Sequence, residues 1–198
     1  MGKKTERFNM TGCFSFVKGF NMADMRVVNQ VVTTDLKQRL NLEDIATKLM
    51  NIEYNPDQFP GLVIRIRDPR SSALLFSSGR VVCTGTKHLE DAKKAVQHIA
   101  EYLNKIGIKV NKNPVLSVQN IVGSGGLGFK LNLNKLAITL RNTEYEPQQF
   151  PGLVYKIKLP FKASFLLFSN GKLVCTGTKS QAEMEACVVQ LEKDLKKV

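Results

Sequence analysis

The spacing of apolar and polar side chains alternates between two periods along the chain, and the alternation occurs twice. From Arg26 to Thr34, and again from Leu116 to Ser124, the pattern predicts an extended strand. Each strand leads into a stretch with helical spacing: Leu42, Ile45 and Leu49 in the first case, Leu133, Leu136 and Leu140 in the second. Asn41 and Asn132 stand just ahead of these short helices, where a side-chain oxygen caps the unpaired N–H groups of the first turn. β-rich runs follow, separated by Pro60-Gly61, Ser78-Gly79 and Asn170-Gly171, the punctuation of antiparallel hairpins. A longer helix closes each half, with Ala92, Val96, Ile99 and Leu103 along one side of the first. In the second, Ser180-Gln181-Ala182-Glu183 reads as a capping box ahead of a stripe of Met184, Cys187, Val188, Leu191 and Leu195.

The duplicated pattern is a true internal repeat. Glu53-Tyr54-Asn55-Pro56-Asp57-Gln58-Phe59-Pro60-Gly61-Leu62-Val63 recurs as Glu144-Tyr145-Glu146-Pro147-Gln148-Gln149-Phe150-Pro151-Gly152-Leu153-Val154, 91 residues on. Leu74-Leu75-Phe76-Ser77-Ser78-Gly79 and Val82-Cys83-Thr84-Gly85-Thr86-Lys87 return 92 residues on, so the second copy carries one extra residue near Phe161. A bulge or longer turn over Phe161–Ser164 is the expected accommodation. Two copies make a pseudo-symmetric pair rather than a solenoid. The division is an N-terminal arm over 1–22, flexible because it shows no period, then repeat one over 23–112 and repeat two over 113–198, joined through Gly107–Pro114. With helices on one sheet face only, Val81, Cys83, Leu173 and Cys175 belong to the core, while Val82, Thr84, Val174 and Thr176 lie on an open face. An uncovered sheet bearing Val, Leu and Phe is an apolar patch of the kind that marks an interface.

Charge narrows the partner. The net charge is +12, with 18 basic against 11 acidic residues up to Lys112 and 11 against 6 beyond it. Both halves are basic, which points to a cationic surface shared by the fold and to an anionic partner, nucleic acid or membrane face. No apolar run approaches the ~20 residues of a membrane span, and no signal peptide is recognisable. Cys13, Cys83, Cys175 and Cys187 are not spaced as a zinc knuckle or redox pair, so neither metal nor cofactor is expected and buried, reduced cysteines are. A soluble intracellular protein is the expectation, and the basic balance places it in the nucleus.

The repeated motifs together resemble the conserved core of the TATA-binding protein family, over roughly residues 24 to 198: Tyr-x-Pro-x-x-Phe-Pro-Gly, Leu-Leu-Phe-Ser-x-Gly and Val-Cys-Thr-Gly-Thr-Lys, each present twice. The resemblance implies an α+β fold, a pseudo-two-fold saddle of two β-α-β-rich repeats whose curved antiparallel sheet carries its helices on the convex face. It implies minor-groove DNA binding with Phe59, Phe76, Phe150 and Phe168 as wedges between base steps. Asn120 corresponds to the central amide that reads A·T steps; in repeat one the order is Asn29-Gln30, which puts Gln30 at the aligned position. Val32, Leu74, Val82, Thr84, Val122, Leu166, Val174 and Thr176 would line the groove. Phosphate contacts are implied at Arg65, Arg70, Arg80 and Lys87, and at Lys156, Lys162, Lys172 and Lys179. The implied partners are double-stranded TATA-type DNA, transcription factors IIA and IIB on the first- and second-repeat ends, and TATA-binding-protein-associated factors. Glu144 and Glu146 suit the factor IIB contact, although Gln148 stands where a Glu is common.

Two other readings stay open at this stage. One is a family-like factor with altered DNA preference, to which Gln30 lends weight; the other is a protein-interaction scaffold. A catalytic enzyme is not expected, because there is no metal-ligand spacing or Gly-rich phosphate loop, and Asp57 and Asp68 face Gln148 and Leu159 in the other repeat.

Overall fold

The computed structural model describes residues 25–198. The arm expected over 1–22, the first residues assigned to repeat one, and Cys13 lie outside the described residues. In chain order the elements are β1 (Arg26–Asp35), α1 (Leu42–Lys48), β2 (Ile52–Glu53), β3 (Gly61–Ile66), β4 (Ser71–Phe76), β5 (Arg80–Thr86) and α2 (Leu89–Lys105), then β6 (Ser117–Gly126), α3 (Leu133–Thr139), β7 (Thr143–Glu144), β8 (Leu153–Ile157), β9 (Ala163–Leu167), β10 (Lys172–Thr178) and α4 (Gln181–Leu195). All ten strands form one sheet in the order β2-β3-β4-β5-β1-β6-β10-β9-β8-β7. That order is its own mirror image under the repeat, so the pseudo-two-fold axis passes between β1 and β6.

Local sequence explains the caps and ends. Asn41 Oδ1 accepts from the Asp44 N–H and Asn132 Oδ1 from the Lys135 N–H. Ser180 Oγ accepts from the Glu183 N–H, while the Glu183 carboxylate reaches back to the Lys179 N–H, one residue before the cap. The apolar stripe of α2 buries Ala92, Val96, Ile99 and Leu103, and that of α4 buries Met184, Cys187, Val188 and Leu191. Each helix packs on the inward face of its own half-sheet. Two cores result, one around Leu62, Leu75, Val81 and Ile99, the other around Leu153, Phe165, Leu173 and Leu191. Among the described residues, no helix lies on the opposite sheet face.

A longer turn, one of the two accommodations expected, takes up the extra residue of repeat two. The turn 158–162 replaces the four-residue turn 67–70; Ala163 and Ser164 pair regularly with Ile157 and Lys156, so no bulge enters β9. The bulges are in the central strands instead. Val27 opposes Gly123 and Asn29 opposes Val122, leaving Val28 extra; Val31 opposes Asn120 and Val32 opposes Val118, leaving Gln119 extra. Val28 and Gln119 are 91 residues apart, so the irregularity itself is duplicated.

A candidate nucleic-acid interface on the open sheet face

The alternation of β5 and β10 places side chains as expected: Val81, Cys83, Leu173 and Cys175 are buried, and Val82, Thr84, Val174 and Thr176 are partly exposed on the open face. Leu74 lies opposite Val82 and Leu166 opposite Val174, so each half-sheet presents an adjoining apolar pair. Val63 and Val154 extend these rows by pairing with Leu74 and Leu166. Sequence reasoning missed both, although they end the repeated Phe-Pro-Gly-Leu-Val motif.

The assignments in β1 need correcting. Gln30 and Val32 are 9% and 1% exposed and point into the core, so neither reaches the open face. Asn29 and Val31 occupy that face instead. The bulge at Val28 sets this phase, and its duplicate at Gln119 gives Asn120 and Val122 the matching one. Asn29 is also the residue 91 positions before Asn120, the offset that relates Glu53 to Glu144, so the repeat spacing carried the correct pairing.

Both asparagines are held alike. Asn29 Nδ2 donates to Thr84 Oγ1 at 3.0 Å, and its Oδ1 accepts from the Gly85 N–H at 2.8 Å. Asn120 Nδ2 donates to Thr176 Oγ1 at 3.0 Å and its Oδ1 accepts from the Gly177 N–H at 2.8 Å. An amide nitrogen carries two hydrogens, so each side chain, with its oxygen engaged, keeps one N–H donor for a ligand over the sheet centre.

The four phenylalanines stand at the two ends. Phe59 and Phe76 meet edge to face with centroids 6.0 Å apart, and Phe150 and Phe168 do so at 6.1 Å. Phe59 and Phe150 are 41% and 46% exposed. The absent side chains of Gly61 and Gly152 let each ring lie back over the strand: a Cβ there would fall 2.6 Å from Phe59 Cε1 and 2.6 Å from Phe150 Cε1. Apolar rings exposed at matched hairpin tips are costly for a protein alone and suit insertion into an apolar slot.

The eight cations expected at phosphates are all exposed. Arg65 and Lys156 lie beyond Val63 and Val154 on the open face, Arg80 and Lys172 open β5 and β10, and Lys87 and Lys179 follow those strands. Arg70 and Lys162 occupy equivalent places, their carbonyl oxygens 3.6 and 3.3 Å from where a Cβ of Gly85 or Gly177 would stand. Arg65 is held by Glu53 at 2.9 Å and Lys156 by Glu144 at 2.5 Å. Glu144 is therefore a counter-ion on the open sheet face as well as a partner candidate, whereas Glu146 lies exposed in the turn before Phe150. Beneath the face, burial pushes the Cys83 thiol up to about 11. Burial, then the neighbouring Cys187, pushes Cys175 up to about 12. Such thiols stay protonated and serve as packing. Among the described residues no group of three or more His, Cys, Asp or Glu could hold a metal ion, and no helix is long and apolar enough to cross a membrane.

A duplicated open sheet, apolar along its length, amide-bearing at its centre, aromatic at its ends and rimmed by cations, defines a binding module rather than an enzyme. The family model described as "Transcription factor TFIID (or TATA-binding protein, TBP)" matches residues 24–106 and 115–198. The chain is 46% identical over 179 residues to the TATA-box-binding protein of Picrophilus torridus, covering 89% of this chain and 97% of the relative. It is 45% identical over 174 residues to that of Archaeoglobus fulgidus, covering 87% and 94%. The solved structure titled "Methanococcus jannaschii TBP" matches with a TM-score of 0.82 at 42% identity, covering 88% of this chain and 99% of that one. The chain belongs to the TATA-binding protein family, non-enzymatic transcription factors, and its fold is that family's saddle. DNA binding in transcription initiation follows from that membership.

Proposed function

We propose that the chain grips A·T-rich duplex DNA through its minor groove, bends it, and so nucleates assembly of the transcription pre-initiation complex. The observation that carries this reading is the pair Asn29 and Asn120 at the pseudo-two-fold axis, each with one donor to spare. In the minor groove A·T and T·A pairs offer only acceptors, whereas G·C adds an amino donor that opposes another donor. Charge-driven approach supplies the salt-dependent part of affinity through the exposed Arg and Lys rim. Val31, Leu74 and Val82, with Val122, Leu166 and Val174, replace water along the widened groove. The Phe pairs enter at the two ends as wedges, unstacking base steps at a cost of a few kcal/mol each; TATA-binding proteins are themselves a standard example of this mode. Steps such as TA kink most readily, so selectivity arises largely from deformability.

Transcription factors IIA and IIB would dock on the first- and second-repeat ends, Glu146 serving the latter, and TATA-binding-protein-associated factors on the helical face. The matched relatives named above come from archaea, so the nuclear setting expected from charge gains no support from them. The alternative of altered DNA preference loses its argument, because Asn29 fills the place thought to be held by Gln30. The test is affinity against salt, with bend angle, on TATA-type and scrambled duplexes. Phe150→Ala and Phe168→Ala should reduce bending and TATA preference while leaving non-specific binding largely intact. Equal loss on both duplexes with bending unchanged would refute the wedge assignment and favour a protein scaffold.

A further inference from the structure

The two repeats part company on one surface. Along α4, Ala186, Val189, Gln190 and Lys193 line a groove closed on its other side by Leu159 and Pro160. Their counterparts 92 positions earlier on α2 are Lys94, Gln97, His98 and Glu101, and Asp68 stands where repeat two has Leu159. Repeat two has therefore exchanged a polar surface for an apolar one, with Leu159 77% exposed and Phe161 42% exposed beside it. The Cys187 thiol donates to the Phe161 carbonyl at 3.6 Å, anchoring this five-residue turn against α4. Nothing in the TATA-type contacts proposed above uses this groove. Exposed leucine and phenylalanine flanking an apolar groove call for a cover.

We propose that the cover is the chain's own N-terminal segment, residues 14–22 of the 24 outside the described residues. Four observations select it. The segment enters the fold beside α4: Met25 Cε and Met184 Sδ would lie 3.0 and 2.1 Å from a Cβ at Gly123, and Met25 and Val27 pack on the repeat-two core. Its reach suffices, since the five-residue step from Phe20 to Met25 spans up to about 17 Å, and Met184 to Val189 along α4 is about 7.5 Å. Its chemistry fits, because Phe14, Phe16, Val17, Phe20 and Met22 supply apolar side chains. Charge matches too: residues 1–24 carry four basic against two acidic side chains, whereas α4 carries Glu183, Glu185, Glu192 and Asp194 against Lys193 alone. A basic segment thus meets the acidic helix of a basic protein.

Hydrogen exchange followed by mass spectrometry on the full chain tests this. Tethering gives an effective concentration in the mM range, so a groove affinity of about 0.1 mM would slow amide exchange in the docked segment about tenfold. That protection is expected over residues 14–22, at all protein concentrations. It should vanish in the double variant Ala186→Lys with Val189→Gln, which installs the residues that repeat one carries at these positions, while β1 and β6 remain protected. Phe16→Ser with Phe20→Ser should abolish it equally and newly expose α4. Exchange of residues 14–22 at unstructured-chain rates would overturn the proposal. So would protection that survives the groove variant, or protection that rises with protein concentration, which would identify a second copy as the occupant.

Discussion

Replacing Gln30 by Ile separates the core reading of that residue from the groove reading. Gln30 Oε1 is buried without a hydrogen-bond partner, as is Thr86 Oγ1 on the facing residue of β5. The counterpart of Gln30 in repeat two is Ile121, which is buried and faces Thr178. An amide oxygen stripped of water and left unpaired costs about 1–3 kcal/mol, and Gln30→Ile removes it at nearly constant volume. The aliphatic stem of Gln is already buried, so no further transfer gain is added. The expected stabilisation is about 2 kcal/mol, which for a domain of this size raises Tm by roughly 4–8 °C. Urea unfolding should show the same change in midpoint with an unchanged slope. DNA affinity and bend angle should stay at the parental values, because position 30 does not reach the open face. Asn29→Ala, by contrast, should weaken TATA binding roughly two- to twelvefold, the worth of one neutral hydrogen bond of about 0.5–1.5 kcal/mol. The reciprocal Ile121→Gln should destabilise by a similar amount to the gain from Gln30→Ile. Loss of DNA affinity in Gln30→Ile with stability unchanged would refute the assignment and restore Gln30 to the groove.

Glu53 and Glu144 compete with phosphates for Arg65 and Lys156, so Glu53→Gln or Glu144→Gln should raise affinity for any duplex about two- to fivefold, the worth of an exposed ion pair of up to 1 kcal/mol. Arg65→Ala or Lys156→Ala should lower the slope of log affinity against log salt by about 1, on TATA-type and scrambled DNA alike. Gly152→Val would drive its side chain into the Phe150 ring, and the expected result is a smaller bend with stability within about 1 kcal/mol of the parent, since the displaced ring moves into solvent. The folded-state Cys83 and Cys175 pKa values lie above the ordinary 9.0, so their contribution is complete below about pH 9 and is lost as pH rises towards 11 to 12. Denaturation followed from pH 8 to 11 should show a steeper fall than in Cys83→Ala, and iodoacetamide at pH 8 should leave Cys83 and Cys175 unmodified while the protein is folded.

How much of this was legible in the sequence depends on whether a feature announces itself by period or by position. The caps at Asn41, Asn132 and Ser180 and the helical stripes were legible because capping chemistry and a period of 3.6 are local. The faces of β5 and β10 were legible because a single alternation fits only one way onto a sheet covered on one side. β1 defeated the same reasoning. Its sequence, Val27-Val28-Asn29-Gln30-Val31-Val32-Thr33-Thr34, runs in like pairs, so either phase puts two Val, one amide and one Thr on each face. Period-two patterning then carries no information about which face is which, and the bulge at Val28, which sets the phase, has no residue signature of its own. The extra residue near Phe161 was legible as a bulge or a longer turn, but not as which of the two: a one-residue insertion shifts strand faces only if it enters the ladder, and here it stays in the turn 158–162. What would have resolved β1 was symmetry rather than propensity. A fixed offset of 91 maps Asn29 onto Asn120 and Gln30 onto Ile121, and a buried Ile at one copy's position implies a buried side chain at the other. In a duplicated fold the second copy is an independent measurement of each residue's environment. Where the copies disagree in chemistry, as at Gln30 against Ile121 or Asp68 against Leu159, the disagreement marks either a core under strain or a surface with a task its twin lacks.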